Sequence, residues 1–468
     1  MKLYNTMTRA VEDFRPATDN TVKMYTCGLT VYSQPHIGNW VAYIYWDILV
    51  RVLKADGYDV NRVQNITDVG HLTSNEDGGE DKMLASALKE GTTAWDVAEK
   101  YMVLADEEAF TKLGLIRPDH MPRATDYIQQ QIEFIRGLEE KGYTYVIEDG
   151  VYFDTSKLSD YGKLARLDIA GLQFGSRVAD TGKKNPTDFA LWKLSLKDQK
   201  RDMEWDSPWG KGFPGWHLEC SVMARQLLGD TIDIHTGGID HIPVHHTNEI
   251  AQTESLTGKP FANIWVHANH IKVNGTKMSK SLGNIFTLDD IKQRGLSLNA
   301  FKLMILSKHY RTEGNFTWEI LEAAQNRLQR WQNTALLRFQ TLDSGPKDSC
   351  SPEILDSAAR EIIDSLKNDL LTPAAIMAID QTFNQVTNGI LEISKNSFIN
   401  LLNIVRDLLG IDLLSGDDIT NEQKQLLDAR QQTRDNQEWD RSNQLREELK
   451  SQGIHVRDTP YGQIWERN

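Results

Sequence analysis

The pattern that most constrains this chain lies near its start, where Val22-Lys-Met-Tyr-Thr-Cys-Gly28 alternates apolar and polar residues and stops at a glycine. A turn containing Pro35 follows, then the apolar-rich stretch Trp40 to Leu53, which suits a helix, and Gly57 to Ile66 supplies a second strand. Strand, helix and strand within about forty-five residues form the βαβ unit of an open parallel sheet, whose ligands bind beyond the carboxyl ends of the strands. Cys27 and His36 fall at that edge.

At 468 residues the chain exceeds one hydrophobic core, and length alone predicts about three domains. From roughly 100 to 205 the pattern is helical and then richer in short extended pieces such as Gly150-Val-Tyr-Phe-Asp154, an insertion that splits one sheet domain. Thr231 to Gly238 then gives another strand and turn. From Phe316 onward Leu321, Ala324, Leu328 and Trp331 recur at three and four residues, the stripe of a helix packed in a bundle. The polar stretches Asp343 to Pro352 and Ser415 to Asp418 carry loop residues, and a boundary is expected near the second.

No apolar run of about twenty residues occurs and no apolar leader follows Met1, so a cytoplasmic protein without membrane partners is expected. Cys27, Cys220 and Cys350 are too few and too scattered for a disulfide framework, which leaves metal ligation, catalysis or plain burial. A net charge of −14 argues against a protein that simply coats nucleic acid. Residues 430–468, however, carry seven basic and seven acidic side chains, so the tail is the less repulsive end for RNA.

His245 and Glu249 stand one helical turn apart, as two ligands on one helix must, although spacing admits His246 equally and such a pair also serves as a surface ion pair. With Cys27 and Cys220, both beside glycine-rich turns at the expected sheet edge, they make a donor set suited to zinc, and Cys350 in its polar linker is left out. Gln34-Pro-His-Ile-Gly-Asn39 puts a histidine and a glycine where a helix begins, and free N–H groups at a helix start attract phosphate. Downstream, Thr276-Lys-Met-Ser-Lys-Ser-Leu-Gly-Asn284 sets two lysines three apart in a loop able to stabilise charge on a departing pyrophosphate.

Lys-Met-Ser-Lys-Ser some 240 residues after His-Ile-Gly-Asn resembles the two-part ATP signature of class I aminoacyl-tRNA synthetases. Tyr25-Thr-Cys-Gly-Leu-Thr-Val-Tyr32, Gly215-Trp-His-Leu-Glu-Cys-Ser221, Asp233-Ile-His-Thr-Gly-Gly-Ile-Asp240 and His245 to Thr253 are similar to motifs of the cysteinyl-tRNA synthetase family, in that family's order. The resemblance spans nearly the whole chain. Leu29, Asn39, Ile239 and Thr247 depart from commoner family residues, and none of these removes a proposed ligand.

The resemblance implies an α/β protein: a Rossmann-type parallel-sheet catalytic domain over 1–310, with the insertion at about 100–205 and the lysine-loop region at about 255–310, an α-helical bundle over 311–414, and a small anticodon-binding domain over 415–468. It implies a ligase that activates L-cysteine with ATP and magnesium and transfers it to tRNA(Cys), acting as a monomer with one zinc per subunit. Zinc ligands carry over to Cys27, Cys220, His245 and Glu249, and His36, Asn39, Lys277 and Lys280 to catalysis. Gly28, Thr30 and Gly38 join His36, Asn39 and Lys280 at the nucleotide, while Trp216, His235 and Asp240 fall to the cysteine substrate. Arg430, Arg434 and Asp458 are the expected tRNA contacts. Ligases that pass the same adenylate to an amino-sugar resemble the catalytic half but end without such a tail.

Overall fold

The structure, a computed structural model, describes residues 1–70, 81–167, 182–195, 201–279, 282–340, 351–388, 394–460 and 462–467; Lys280 and Cys350 lie outside the described residues. The chain forms two units, one of residues 1–293 with 310–316 and the other of residues 294–309 with 317–468.

The first unit is organised by a four-stranded parallel sheet in the order Ala262–Ala268, Ile232–Gly238, Thr21–Thr26, Asp59–Gln64. The expected βαβ unit is present, with the helix running Ile37–Ala55. Its buried face includes Ile37, Trp40, Ile44, Trp46, Ile48 and Leu53, as a helix covering a parallel sheet requires. Register places Tyr25, His235 and Trp265 in one row across three strands, so the His235 ring stacks on Trp265 at 4.6 Å and meets Tyr25 edge-on at 5.3 Å.

A second, antiparallel four-stranded sheet follows in the order Thr144–Ile147, Gly150–Phe153, Phe189–Leu194, Gly212–Pro214. Val151, Phe153 and Leu191 of this sheet pack with Ile132, Ile135 and Leu138 of the helix Ile128–Glu140 and with Leu218, Val222 and Ala251, so the insertion shares a core with the helices that carry the site. Its last strand passes through Gly215 alone into the helix Trp216–Leu228.

The second unit is mainly helical. Leu321, Ala324, Leu328 and Trp331 are all buried on the helix Trp318–Ala335, as the heptad-like spacing predicts, and Trp331 donates its indole N–H to Asp380 at 2.7 Å. Towards the C-terminus the helices Asn421–Asp435 and Trp439–Ser451 precede an antiparallel hairpin, Ile454–Thr459 with Gly462–Arg467. Leu427, Leu449, Ile454, Val456 and Trp465 bury a small core there. Among the described residues no helix is long and apolar enough to cross a membrane.

Candidate active site

Four elements of the first unit converge at the carboxyl edge of the parallel sheet. Cys27 follows the strand Thr21–Thr26, Cys220 lies within the helix Trp216–Leu228, His235 is on the strand Ile232–Gly238, and His245 opens the helix His245–Thr257 with Glu249 one turn later. All five are buried. Glu249 is the hub: one carboxylate oxygen lies 2.9 Å from His245 Nε2 and the other 2.8 Å from His235 Nε2. Burial alone would push its proton affinity up, but the His235 and His245 imidazoles more than reverse this and hold the Glu249 pKa at about 2. Burial likewise opposes charge on His245, and Glu249 overcomes it, raising that imidazole to about 10.

The structure brings the expected ligand set together. The donor atoms of Cys27, Cys220, His245 and Glu249 all lie within 4.8 Å of one another, and Cys27 Sγ is 3.9 Å from Glu249 Oε1. Tetrahedral bonds of about 2.0–2.3 Å set donor separations of roughly 3.3–3.8 Å, so this buried pair of thiols, imidazole and carboxylate fits a zinc-like ion with small adjustments. Hydrogen bonding from Cys27 draws the Cys220 thiol below its ordinary range, whereas burial pushes Cys27 up.

The sequence names His235 and His246 singly; the structure gathers them into a second group around the same hub. His235, His246, Cys27 and Glu249 also present donors within 4.8 Å of one another, with His246 Nε2 3.2 Å from Cys27 Sγ. The other nitrogen of His246 meets His267 at 2.7 Å, and His267 in turn meets the Thr6 hydroxyl at 2.7 Å. Burial pushes both His246 and His267 well below the usual imidazole range. Spacing left His245 and His246 equivalent; in the structure His245 pairs with Cys220 and Glu249, and His246 with Cys27 and His267.

Trp216 lays its ring on His245 at 4.4 Å. Asp240 is 59% exposed, with His270 at 3.6 Å, so it borders the cluster without entering it. Ile239 is also exposed, and Leu29 packs against Val31, Ile66 and Met83.

His36 caps the helix Ile37–Ala55, where the Asn39 side chain accepts the His36 backbone N–H at 2.9 Å. The lysine loop lies beside this helix start: Phe286 accepts the Ile37 N–H at 2.8 Å, and a side chain on Gly38 would put its Cβ 2.1 Å from the Met278 methyl. Lys277 is exposed, and Asn284 braces the loop by accepting the Ser279 N–H at 2.9 Å. Thr30 pairs by backbone with Thr67 next to Gly28.

In the second unit Arg430 is 1% exposed and forks onto Asp458 at 2.8 and 2.9 Å, with a further bond to Gln463 at 2.8 Å. Arg434 reaches the same carboxylate at 3.2 Å, and its guanidinium lies 5.6 Å from the ring of the exposed Trp439. The two arginines thus meet one carboxylate, with Arg430 inside and Arg434 at the surface.

A parallel sheet with a His-Ile-Gly-Asn helix start at its edge and a Lys-Met-Ser loop beside it defines a class I aminoacyl-tRNA synthetase fold. Solved structures agree: methionyl-tRNA synthetase of Mycobacterium tuberculosis with methionyl-adenylate (TM-score 0.60, 14% identity, 84% of this chain and 92% of that one) and LeuRS of Agrobacterium radiobacter with tRNA (TM-score 0.60, 13% identity, 85% of each) share it. A model of the tRNA synthetases class I (C) catalytic domain matches residues 13–326, and one of the cysteinyl-tRNA ligase anticodon binding domain matches residues 416–465. Cysteine–tRNA ligase 1 of Burkholderia lata is 44% identical over 99% of this chain and 96% of its own length. The cysteine–tRNA ligase of Caldicellulosiruptor saccharolyticus is 40% identical over the full length of both chains. The chain belongs to the cysteinyl-tRNA synthetase family.

Proposed function

We propose that the chain charges tRNA(Cys) with L-cysteine at the expense of ATP, and that Cys27, Cys220, His245 and Glu249 hold one zinc ion at the base of the cysteine pocket. The convergence of these four buried donors is the observation that carries the proposal. Held by these residues, zinc would supply a Lewis acid that favours a thiolate over a hydroxyl, which would separate cysteine from serine. Trp216, resting on His245, walls the pocket; His235 braces Glu249 from the sheet; Asp240 receives the substrate's ammonium group.

His36 and Asn39, with Gly28, Thr30 and Gly38, line the nucleotide site at the helix start. The cysteine carboxylate attacks the α-phosphate of ATP, and the bond to the β-phosphate breaks. Lys277 and Lys280 oppose the charge that builds on the departing pyrophosphate, and magnesium arriving with ATP would add positive charge there. A ribose hydroxyl at the 3′ end of the tRNA then attacks the carbonyl of cysteinyl-adenylate and AMP leaves, a step that rests on positioning. Arg430, Arg434 and Asp458 form the anticodon-reading cluster, with Arg430 holding Asp458 in place and Arg434 beside Trp439 facing the RNA.

The proposed division is catalysis over 1–310, a bundle over 311–414 and anticodon binding over 415–468, in a cytoplasmic monomer. The test is exchange of labelled pyrophosphate into ATP with cysteine, serine or alanine, repeated with Cys220→Ala and followed by charging of tRNA(Cys). Exchange with cysteine alone, lost in the variant, is expected; no exchange from folded, zinc-loaded protein would overturn the proposal.

A further inference from the structure

Cys27 and Cys220 come from elements almost two hundred residues apart, and their relative position is tied by a chain of buried polar groups that the mechanism leaves unused. The Gly28 N–H donates to Asn65 Oδ1 at 2.8 Å, Asn65 Nδ2–H donates to Thr67 Oγ1 at 3.0 Å, and the Thr67 hydroxyl donates to Glu219 Oε2 at 3.1 Å. Asn65, Thr67 and Glu219 are 1%, 2% and 0% exposed. Gly28 follows Cys27 directly, and Glu219 precedes Cys220 directly.

The direction of these hydrogen bonds is fixed from the Gly28 end. A backbone N–H can only donate, so the Asn65 atom facing Gly28 is its oxygen, and its NH₂ group must face Thr67. The Thr67 oxygen accepts from the Asn65 NH₂, which cannot accept in return, so the one hydroxyl proton of Thr67 goes to Glu219. Successive donation in one direction polarises each bond in a low-dielectric interior. The Cys27 backbone is pinned from two further sides, its N–H bonding Thr236 O at 3.1 Å and its carbonyl accepting the Tyr43 hydroxyl at 3.0 Å. Gly28 lies hard against this segment: a Cβ there would be 1.5 Å from the Asn65 backbone carbonyl oxygen.

We propose that Asn65, Thr67 and Glu219 are positioning residues: a one-way hydrogen-bond relay from Gly28 to Glu219 sets the separation of the Cys27 and Cys220 sulfurs and so tunes metal affinity and cysteine capture. None of the three is among the four proposed metal ligands. The inference rests on the metal site proposed above.

Thr67→Val replaces the hydroxyl with a methyl of equal size, and Thr67→Ser keeps the hydroxyl. The full chain, stripped of metal, is titrated with cobalt(II) against a chelator while the thiolate-to-cobalt absorption is followed, and pyrophosphate exchange gives KM for cysteine and for ATP. Thr67→Val is expected to weaken cobalt binding about 10–100-fold and to raise the KM for cysteine more than that for ATP, with Thr67→Ser close to wild type. Asn65→Asp keeps the acceptor for Gly28 but has no proton for Thr67. Its added charge alone would tighten cation binding, so weaker binding supports the relay even if Thr67→Val fails to fold. Wild-type cobalt affinity in Thr67→Val, equal losses in Val and Ser, or tighter binding in Asn65→Asp would overturn it. A wild-type protein that binds no cobalt overturns the metal site itself, and the relay's role with it.

Discussion

His235 and Glu249 meet at 2.8 Å with both side chains fully buried, so a strand and a helix share one carboxylate at the centre of the cluster. Glu249→Gln removes the charge that this imidazole and His245 face, and an amide cannot accept from both sides. Breaking a buried pair of this kind costs about 3–5 kcal/mol, and urea unfolding of the metal-free protein is expected to register a loss of that size.

Gly28→Ala drives a methyl into the backbone of Asn65, where no flexible side-chain end can yield. Overpacking against backbone is expected to cost at least about 1–3 kcal/mol and to displace Cys27. A lower denaturation midpoint together with a raised KM for cysteine would register both effects.

Lys277 stands exposed on the loop beside the helix start, free of the sheet's packing. Lys277→Ala should therefore leave stability unchanged and lower kcat for pyrophosphate exchange by about 10²–10³-fold, with the KM for cysteine little altered. An unchanged kcat would remove Lys277 from the chemistry.

The fork from Arg430 holds the Asp458 carboxyl below its ordinary range. A depressed folded-state pKa contributes stability above the unfolded value of about 3.9 and loses it as pH falls through the lower folded value. Asp458→Asn is accordingly expected to lower the melting temperature at pH 7, and the gap to wild type should narrow on acidification below about pH 4. A gap that stays constant down to pH 3 would mean that the ion pair contributes nothing.

The βαβ unit was legible because strand alternation, the Pro35 turn and the apolar stretch to Leu53 are local signals. The pairing of His245 with Glu249 was legible for the same reason, since one helical turn separates them. The partners of the histidines around them were not. His246 meets His267 and His235 stacks on Trp265 only because the strands Ile232–Gly238 and Ala262–Ala268 lie side by side in a particular register, which no local period encodes. Arg430 sits in a markedly polar helix, and its burial follows from the hairpin folding over it. Asn65, Thr67 and Glu219 are likewise joined across 152 residues.

The sheet order also bears on how the chain is made. The strand Thr21–Thr26 finds one neighbour, Asp59–Gln64, soon after it is synthesised, but its other neighbour begins at Ile232. At about 5–20 residues per second, roughly 10–40 s pass on the ribosome with that edge open and the Cys27 thiol without its partners. A nascent chain stalled before residue 232 therefore presents that strand with one edge unpaired, the kind of edge that invites pairing with another chain.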